Sequence, residues 1–455
     1  MSGLSQILEV ARRALMAQQV GIGVAGHNIA NASRPGYSRQ RVELAATEPS
    51  RTTVGLLGTG VIAKHVGRLR QQFIDQQVRL AHNSLEQAST QQRILSQIEA
   101  TLNEPSDAGL SAAINRFLNA FQNLAIHPEE TATRNDVLQQ GVLLTQSFRR
   151  LNSALKQLRS DLVDDINARL TRINSLTKEI SELDVQITNA QAVGLDASDA
   201  KDQRDLKLEE LSKLANINVS EDSRGSVMVS LGGTMLASRA GSVALSAVRG
   251  GDEIRIVSDQ SSNPITVNSG ELGGVLQLYN MTLPAYQDKL NQIAGALITR
   301  VNTLHAAGFG IGDPPPTGNN FFSGSDAESI GIDPIIKSSV NTIAASADGT
   351  PGDNRVALAI AAIDDEPLLN GNTVSVLQAY NSLVSEVGFS INAAENTASA
   401  QELILAQLEN QRNAVSGVSL DEEMTNLIKF QRSFDAAARV VNVVQELFET
   451  ILKMV

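Results

Sequence analysis

The sequence predicts a mainly α protein with a small β insertion. Paired N- and C-terminal coiled-coil helices, a long-helix bundle core domain and an outer β domain are its expected parts. Three observations predict this. Apolar residues recur at steps of three and four over most of the 455 residues. The period switches to two only over about residues 216 to 270. Both ends carry a seven-residue repeat: Leu8, Leu15, Ile22 and Ile29 in the first, and Leu420, Leu427, Phe434, Val441, Phe448 and Val455 in the last.

The first helix is read over residues 4–29, with Leu4, Ala11, Gln18 and Ala25 in its second register. Gly21, Gly23 and Gly26 weaken it, each by about 1 kcal/mol relative to alanine. A lone helix of this length is marginal in water, so partners are expected to complete it. Pro35-Gly36 stops it. Proline lacks the N–H and turns its predecessor away from the helical region, and glycine accepts a positive φ. Tyr37 is a candidate anchor beneath this turn.

Val42 and Leu44 then alternate as a short strand, and Val61 to Val66 form a second extended piece. Helical spacing follows from Leu69, Phe73 and Leu80 to Leu102, and again from Ile114 to Leu124. A rod starts near Asn135 and runs through Leu144 and Phe148 to Ile187, on the order of 75 Å at 1.5 Å per residue. Asp196, Asp199, Asp202 and Asp205 read as a solvated acidic loop before a helix with Leu206, Leu208, Leu211 and Leu214. Short strands are expected around Val227–Leu231, Val243–Leu245, Ile254–Ile256 and Ile265–Val267. Helical spacing returns from Leu276 to Leu304, with a kink at Pro284. Residues 308–372 are loop-rich, and helices resume from about Thr373 to a break at Gly417. In the last helix Phe430, Ala437, Val444 and Ile451 fill the second register, and Ser419 with Glu422 forms a capping-box pattern.

The expected layout nests like a hairpin. Residues 1–60 with 410–455 form an inner coiled-coil unit, 61–215 with 271–409 the helix bundle, and 216–270 a β domain at the far tip.

Net charge is −12, from 37 Lys and Arg against 49 Asp and Glu. This disfavours a nucleic-acid partner, since phosphate affinity comes largely from basic side chains. The absence of cysteine removes disulfides, thiolate catalysis and Cys-ligated metals. Glu9, Arg12 and Arg13 interrupt any apolar signal-peptide core, and no window approaches the roughly 20 apolar residues of a membrane span. His27, His65, His82, His127 and His305 show no metal-ligand spacing, and no cofactor is expected. Gly21-x-Gly23-x-x-Gly26 has a dinucleotide-loop spacing but lies in a helix and follows no strand; coincidence or close helix–helix approach explains it. Asp364-Asp365-Glu366 and Asp421-Glu422-Glu423 read as loop or helix-N-terminal charge. Nothing assembles a nucleophile, a base and an orienting group. The residues alone leave open a cytosolic coiled-coil adaptor, an enzyme whose β domain binds a ligand, and a protein exported without a cleaved signal.

Two motifs narrow the choice. Asn28-Ile-Ala-Asn31, followed by Pro35-Gly36-Tyr37-Ser38-Arg39-Gln40, resembles the N-terminal signature of flagellar rod, hook and hook-associated proteins. Ser416 to Met424, Leu427 to Gln431 and Ala437 to Val440 resemble the C-terminal signature of the hook-associated members, which argues against the hook protein or a second junction protein. Asp202-Gln203-Arg204-Asp205, Gly270 to Gly274, Leu283-Pro284, Val301-Asn302 and Phe321-Phe322 fit in the same order. Gly308 to Gly312 and the following triple proline depart from the pattern.

The resemblance implies a structural, non-enzymatic protein of the extracellular flagellum at the hook–filament junction. It implies export through the flagellar apparatus, and as partners other copies of the chain in an axial ring, the hook protein, a second hook–filament junction protein and an export chaperone at the C-terminal region. Leu8, Leu15, Ile22, Ile29, Leu427, Phe430, Phe434, Val441, Val444, Phe448 and Ile451 are the expected assembly interface, and Asn28, Asn31, Pro35, Gly36 and Tyr37 the axial-family motif.

Overall fold

A computed structural model describes residues 2–52, 55–222 and 224–454. Helix α1 (Ser2–Asn31) leads into strand β1 (Gln40–Ala46), the short hairpin β2 (Ser50–Thr52) and β3 (Gly55–Leu57), and β4 (Val61–Arg68). Strands β1 and β4 pair antiparallel from Gln40↔Arg68 to Ala46↔Val61. The ribbon therefore straddles the boundary drawn at residue 60. It runs along α1, with Gly60 lying over Val10 and Arg13 donating to the carbonyl of Thr59.

The body is built on α2 (Gln72–Leu102), α3 (Leu110–Ile126), α4 (Thr131–Ala192) and α5 (Ser198–Leu214). At 62 residues, α4 is about 93 Å long at 1.5 Å per residue, longer than its apolar spacing suggested. It has one buried line from Val137 through Leu144, Phe148, Leu162 and Ile173 to Ile187. The face of α2 differs from the expected one. The difference is confined to its first half, where Phe73 and Leu80 are exposed and Val78 and Ala81 are buried; farther along, Ile94, Ile98 and Leu102 are buried as expected. The alternate apolar positions fit the same helical period, and only the partner helix selects between them.

Seven strands form the β insertion: β5 (Ile217–Glu221), β6 (Val227–Leu231), β7 (Thr234–Ser238), β8 (Gly241–Ser242), β9 (Leu245–Gly250), β10 (Glu253–Ser258) and β11 (Ser261–Ile265). They make a four-stranded sheet in the order β5-β6-β7-β8 and a three-stranded sheet in the order β11-β10-β9. The insertion lies outside the bundle but not at its far tip. It packs along the second half of α4. Asn174 brackets Leu245, donating to its carbonyl at 2.9 Å and accepting its N–H at 2.8 Å, and Ser181 donates to the carbonyl of Ser238. The Arg204–Asp184 pair, almost wholly buried, adds a third tie, since Asp184 also accepts the N–H of Val227.

Helix α6 (Gly270–Gln277) and α7 (Leu283–Ala307) are joined by a π-helical stretch, Leu278–Thr282. The irregularity expected at Pro284 is taken up in that stretch, leaving the proline in the first turn of α7 where no N–H is needed. The far tip is made instead by residues 308–372. This segment contains β12 (Phe322–Ser323), β13 (Gly331–Ile332), α8 (Pro334–Ser338) and α9 (Arg355–Ala361). Phe321 and Phe322 stack with Phe117 and Phe121 of α3. Asn302 holds them, accepting both their N–H groups and donating to the Phe322 carbonyl. Arg134, near the start of α4, donates to the carbonyls of Pro128 and Ile343. Helix α10 (Val376–Ser416) returns along α2, burying Leu405 against Val78 and Ala81, and α11 (Leu420–Met454) ends the described chain. Val455, the last expected seam position, lies outside the described residues.

His305 joins α7 to the far tip. Its Nδ1 donates to the Asn319 carbonyl at 2.6 Å, and its Nε2 accepts the Ala344 N–H at 3.0 Å. Burial holds the imidazole down at about 4, and the nearby Arg134 charge works in the same direction. The folded pKa lies below the unfolded value of 6.5, so the unfolded chain takes up the proton first as pH falls. Stability is then complete above pH 6.5 and falls toward pH 4, by on the order of 3 kcal/mol in all. Urea unfolding at pH 7.5 and 5 should show this loss in the parent, and His305→Gln should flatten it. An unchanged pH difference in the variant contradicts the assignment.

Candidate assembly interface

Helices α1 and α11 pair antiparallel, with Gly21 beside Phe430 and Asn28 beside Glu423. The fully buried positions of α1 are Ala11, Ala17, Gly21, Ala25 and Asn28, all small or polar. The larger seam residues Leu8, Leu15, Ile22 and Ile29 are only half-buried. On α11, Val444 is buried, and Leu427, Phe430, Phe434, Val441 and Phe448 are half-buried. Ile451 is 41% exposed, and Met424, Ile428, Leu447 and Leu452 are exposed beside the seam. A single pair of helices therefore leaves the seam part-covered.

Close approach explains one of the three glycines. A Cβ on Gly21 would stand 2.8 Å from the ring of Phe430, whereas a Cβ on Gly23 or Gly26 would meet nothing within 4 Å. Gly21 is thus a seat for an aromatic ring, and the dinucleotide-like spacing has no structural meaning.

The two terminal signatures meet at Asn28. Its side chain is fully buried and fully bonded. The amide oxygen accepts the Gln40 N–H at 2.9 Å and the Tyr37 hydroxyl at 2.8 Å. The amide nitrogen donates to the Gln40 carbonyl at 2.8 Å and to the Glu423 carboxylate at 3.0 Å. Glu423 also accepts Arg39, whose guanidinium reaches Glu422 at 2.8 Å as well. The Arg39 N–H closes the link on the carbonyl of Ser416. Glu422 thus pairs with Arg39, and the Ser419 hydroxyl lies a long 3.5 Å from the Glu422 N–H, so the expected reciprocal capping box is not its main role.

The rest of the motif shapes the approach to this joint. Asn31 donates back to the His27 carbonyl, and Gly36 adopts φ 74° at a place where a Cβ would collide with Leu206 of α5. Pro35 is exposed at the turn. Tyr37 is the expected anchor, and its hydroxyl is pushed well above its ordinary pKa by burial and by the charges of Asp199, Asp202 and Glu423.

The acidic stretch is not a solvated loop. From Asp199 onward it lies on α5 and docks the terminal unit on the body. Asp202 accepts the N–H and hydroxyl of Ser38 at 3.0 and 2.7 Å, and Arg68 bridges Asp202 and Asp205 at 2.7 Å each. Arg70 joins Asp205 to Asp75. Burial raises the Asp205 pKa, but Arg70, Arg68 and Arg204 outweigh it and hold the carboxyl below its usual range. A second tie lies beside it: Glu209 meets His82 at 3.0 Å and Arg412 at 2.8 Å. Against the penalty of burial, these two partners hold its carboxyl down at about 2. His82, Glu209 and Glu409 bring their ligand atoms within 4.8 Å of one another, a grouping invisible in sequence spacing. Arg412 already supplies the positive charge there. Sequence reading missed Arg39, Glu423, Arg68 and Asp202 as a joint because ion pairs between distant segments leave no periodic trace.

Two outcomes test this joint. Asn28→Ala strands the buried Gln40 backbone groups and takes one of the partners of the Glu423 carboxylate, and should destabilise the α1–α11 unit by about 2–4 kcal/mol. Protease sensitivity around Arg34 and Arg39 is the readout, and unchanged resistance contradicts the role. Gly23→Ala and Gly26→Ala should each stabilise the unit by about 0.5–1 kcal/mol, whereas Gly21→Ala should destabilise it. The same sign at all three positions in thermal unfolding contradicts the seat at Gly21.

Known proteins resemble this chain over most of its length. Residues 95–322 match the family described as flagellar hook-associated protein FlgK helical domain, and residues 410–454 match the flagellar basal body rod FlgEFG protein C-terminal family. The chain is 32% identical to flagellar hook-associated protein 1 of Bacillus subtilis (strain 168) over 501 aligned positions, covering 98% of this chain and 97% of that protein. It is 24% identical to flagellar hook-associated protein 1 of Escherichia coli (strain K12), covering 99% of this chain and all of that one. The flagellar hook junction protein FlgK from Burkholderia pseudomallei shares the fold, with a TM-score of 0.64 at 16% identity over 75% of this chain and all of that one. On the near full-length identity and the helical-domain match, the chain belongs to the flagellar hook-associated protein 1 family.

Proposed function

We propose that the chain is a structural subunit of the extracellular bacterial flagellum that joins hook to filament, and that it does so by building a ring of the axial tube through α1 and α11, without enzymatic activity. The part-covered seam supports this reading. Leu8, Leu15, Ile22 and Ile29 against Leu427, Phe430, Phe434, Val441 and Phe448 bury only part of their surface in one chain. Neighbouring copies in a tube supply the missing cover. The terminal unit, extended through β4, is then the inner layer, and the bundle and β insertion face outward.

The proposed partners are other copies of the chain, the hook protein below and a second hook–filament junction protein above. An export chaperone is proposed to hold the C-terminal helix before export, because its exposed stripe (Met424, Ile428, Leu447, Leu452) needs cover in the cytosol.

A physical consequence follows for the free subunit. Ordering a residue costs roughly 1–2 kcal/mol of backbone entropy, and a part-buried helix pair with glycines recovers little beyond that. The termini should therefore exchange amide hydrogens well ahead of the body in the soluble monomer. Strong protection over residues 5–25 and 425–450 contradicts this. Phe434→Asp or Val441→Asp should abolish filament growth while the body unfolds at its normal temperature. A deletion strain should make hooks and shed flagellin into the medium, and normal filaments in that strain overturn the functional reading.

A further inference from the structure

Three helices of the body bring one histidine and two carboxylates together. His82 comes from α2, Glu209 from α5 and Glu409 from α10, and their ligand atoms form the one such group among the described residues. The Nε2 atom of His82 stands 3.0 Å from Oε1 of Glu209 and 4.0 Å from Oε1 of Glu409. A tetrahedral zinc ion with bonds of about 2.0–2.2 Å holds its donor atoms about 3.4 Å apart, between these two distances. Arg412 binds the other oxygen of Glu209, Oε2, at 2.8 Å and stands 3.9 Å from Oε1 of Glu409, so neither Oε1 atom is bonded to it. The imidazole supplies a second observation. His82 is 6% exposed, and its Nδ1 has no hydrogen-bond partner among the described residues. Held by carboxylates alone, a protonated ring buries a charge with one N–H unpaired, which is costly. A cation on Nε2 keeps the ring neutral and takes up both carboxylate charges. Water has room nearby: Glu209 and Arg412 border a polar cavity of about 70 Å³, lined also by Gly36, Tyr37 and Ser38, with space for about two molecules.

We propose that His82, Glu209 and Glu409 form a binding site for a divalent transition metal of the zinc type, with water completing its coordination. Imidazole nitrogen with carboxylate oxygen is a donor set that such ions take, whereas magnesium and calcium favour oxygen alone. Arg412 stays on Oε2 of Glu209 as a positioning residue, and its charge opposes that of the ion and holds the affinity down. The ligands come from three distant parts of the chain, so the site forms only with the fold. A bound ion staples α2, α5 and α10 to one another beside the dock of the terminal unit. The site needs no second copy of the chain and is independent of the axial role proposed above.

Calorimetric titration of the EDTA-treated soluble chain with Zn²⁺ tests this. The parent should bind one ion that Mg²⁺ does not displace, and Zn²⁺ should raise its unfolding temperature. His82→Gln should abolish both effects. Glu409→Gln, at a side chain that is 40% exposed, should weaken binding at least about tenfold while the metal-free unfolding temperature stays unchanged. Arg412→Gln should lower the metal-free unfolding temperature, because it breaks the pair with Glu209, yet tighten Zn²⁺ binding about tenfold. A purely structural ion-pair cluster predicts the first of these two effects and not the second. No saturable binding in the parent, undiminished binding in His82→Gln, or equal affinity for Mg²⁺ overturns the proposal. If His82→Gln does not fold, the other two variants decide: opposite signs on Zn²⁺ affinity support the site, and the same sign at both overturns it.

Discussion

The buried amide of Asn28 is the constraint on which the two ends of the chain depend. One side chain meets both backbone groups of Gln40, the hydroxyl of Tyr37 and the carboxylate of Glu423. An amide with all four bonds made contributes modestly, but one left with a missing partner inside a protein costs far more. The arrangement therefore specifies a register rather than a large stability. Residue 28 must face residue 423, the turn at Pro35-Gly36 must bring Tyr37 back beneath the helix, and Arg39 must reach the first turn of α11. An apolar seam alone tolerates sliding by a heptad; this joint does not.

The energetics of the two halves of the molecule differ in kind. The body is held by a continuous apolar core along α4, closed at the far tip by the phenylalanine cluster and Asn302. The terminal unit meets it through charge. Asp202 and Asp205 on α5 accept Ser38, Arg68 and Arg70, and Glu209 accepts His82 and Arg412. Such pairs orient one unit on another without demanding a large apolar contact. Within the terminal unit, small residues set the closest approach of α1 and larger ones stand at its flanks. This suits the proposed ring, in which neighbouring copies cover the part-buried ends.

The large features were legible in the residues. Heptad spacing from Leu8 to Ile29 and from Leu427 to Phe448 marks both terminal helices, and the long rod of α4 follows from its three- and four-residue steps. The switch to period two locates the β insertion, and the paired signatures around Asn28 and Ser416 point to the family. Each of these is a local pattern, because helix and strand repeat their side-chain directions every few residues. Phe73 and Leu80 show where such patterns fail. They keep helical period and yet face solvent, because the period names a stripe but not the partner that covers it.

What the sequence by itself determined is therefore the kind and order of the elements, the stop at Pro35-Gly36 and the pairing of the two ends. Only the tertiary structure decided that the acidic residues of α5 form a dock, that Gly21 is the seat of Phe430, and that the β insertion lies along α4 while residues 308–372 make the tip. The reason is physical. Periodicity is written into neighbouring residues, whereas a salt bridge between Arg68 and Asp202, or a bond from Asn28 to Glu423, depends on where separate segments arrive in space.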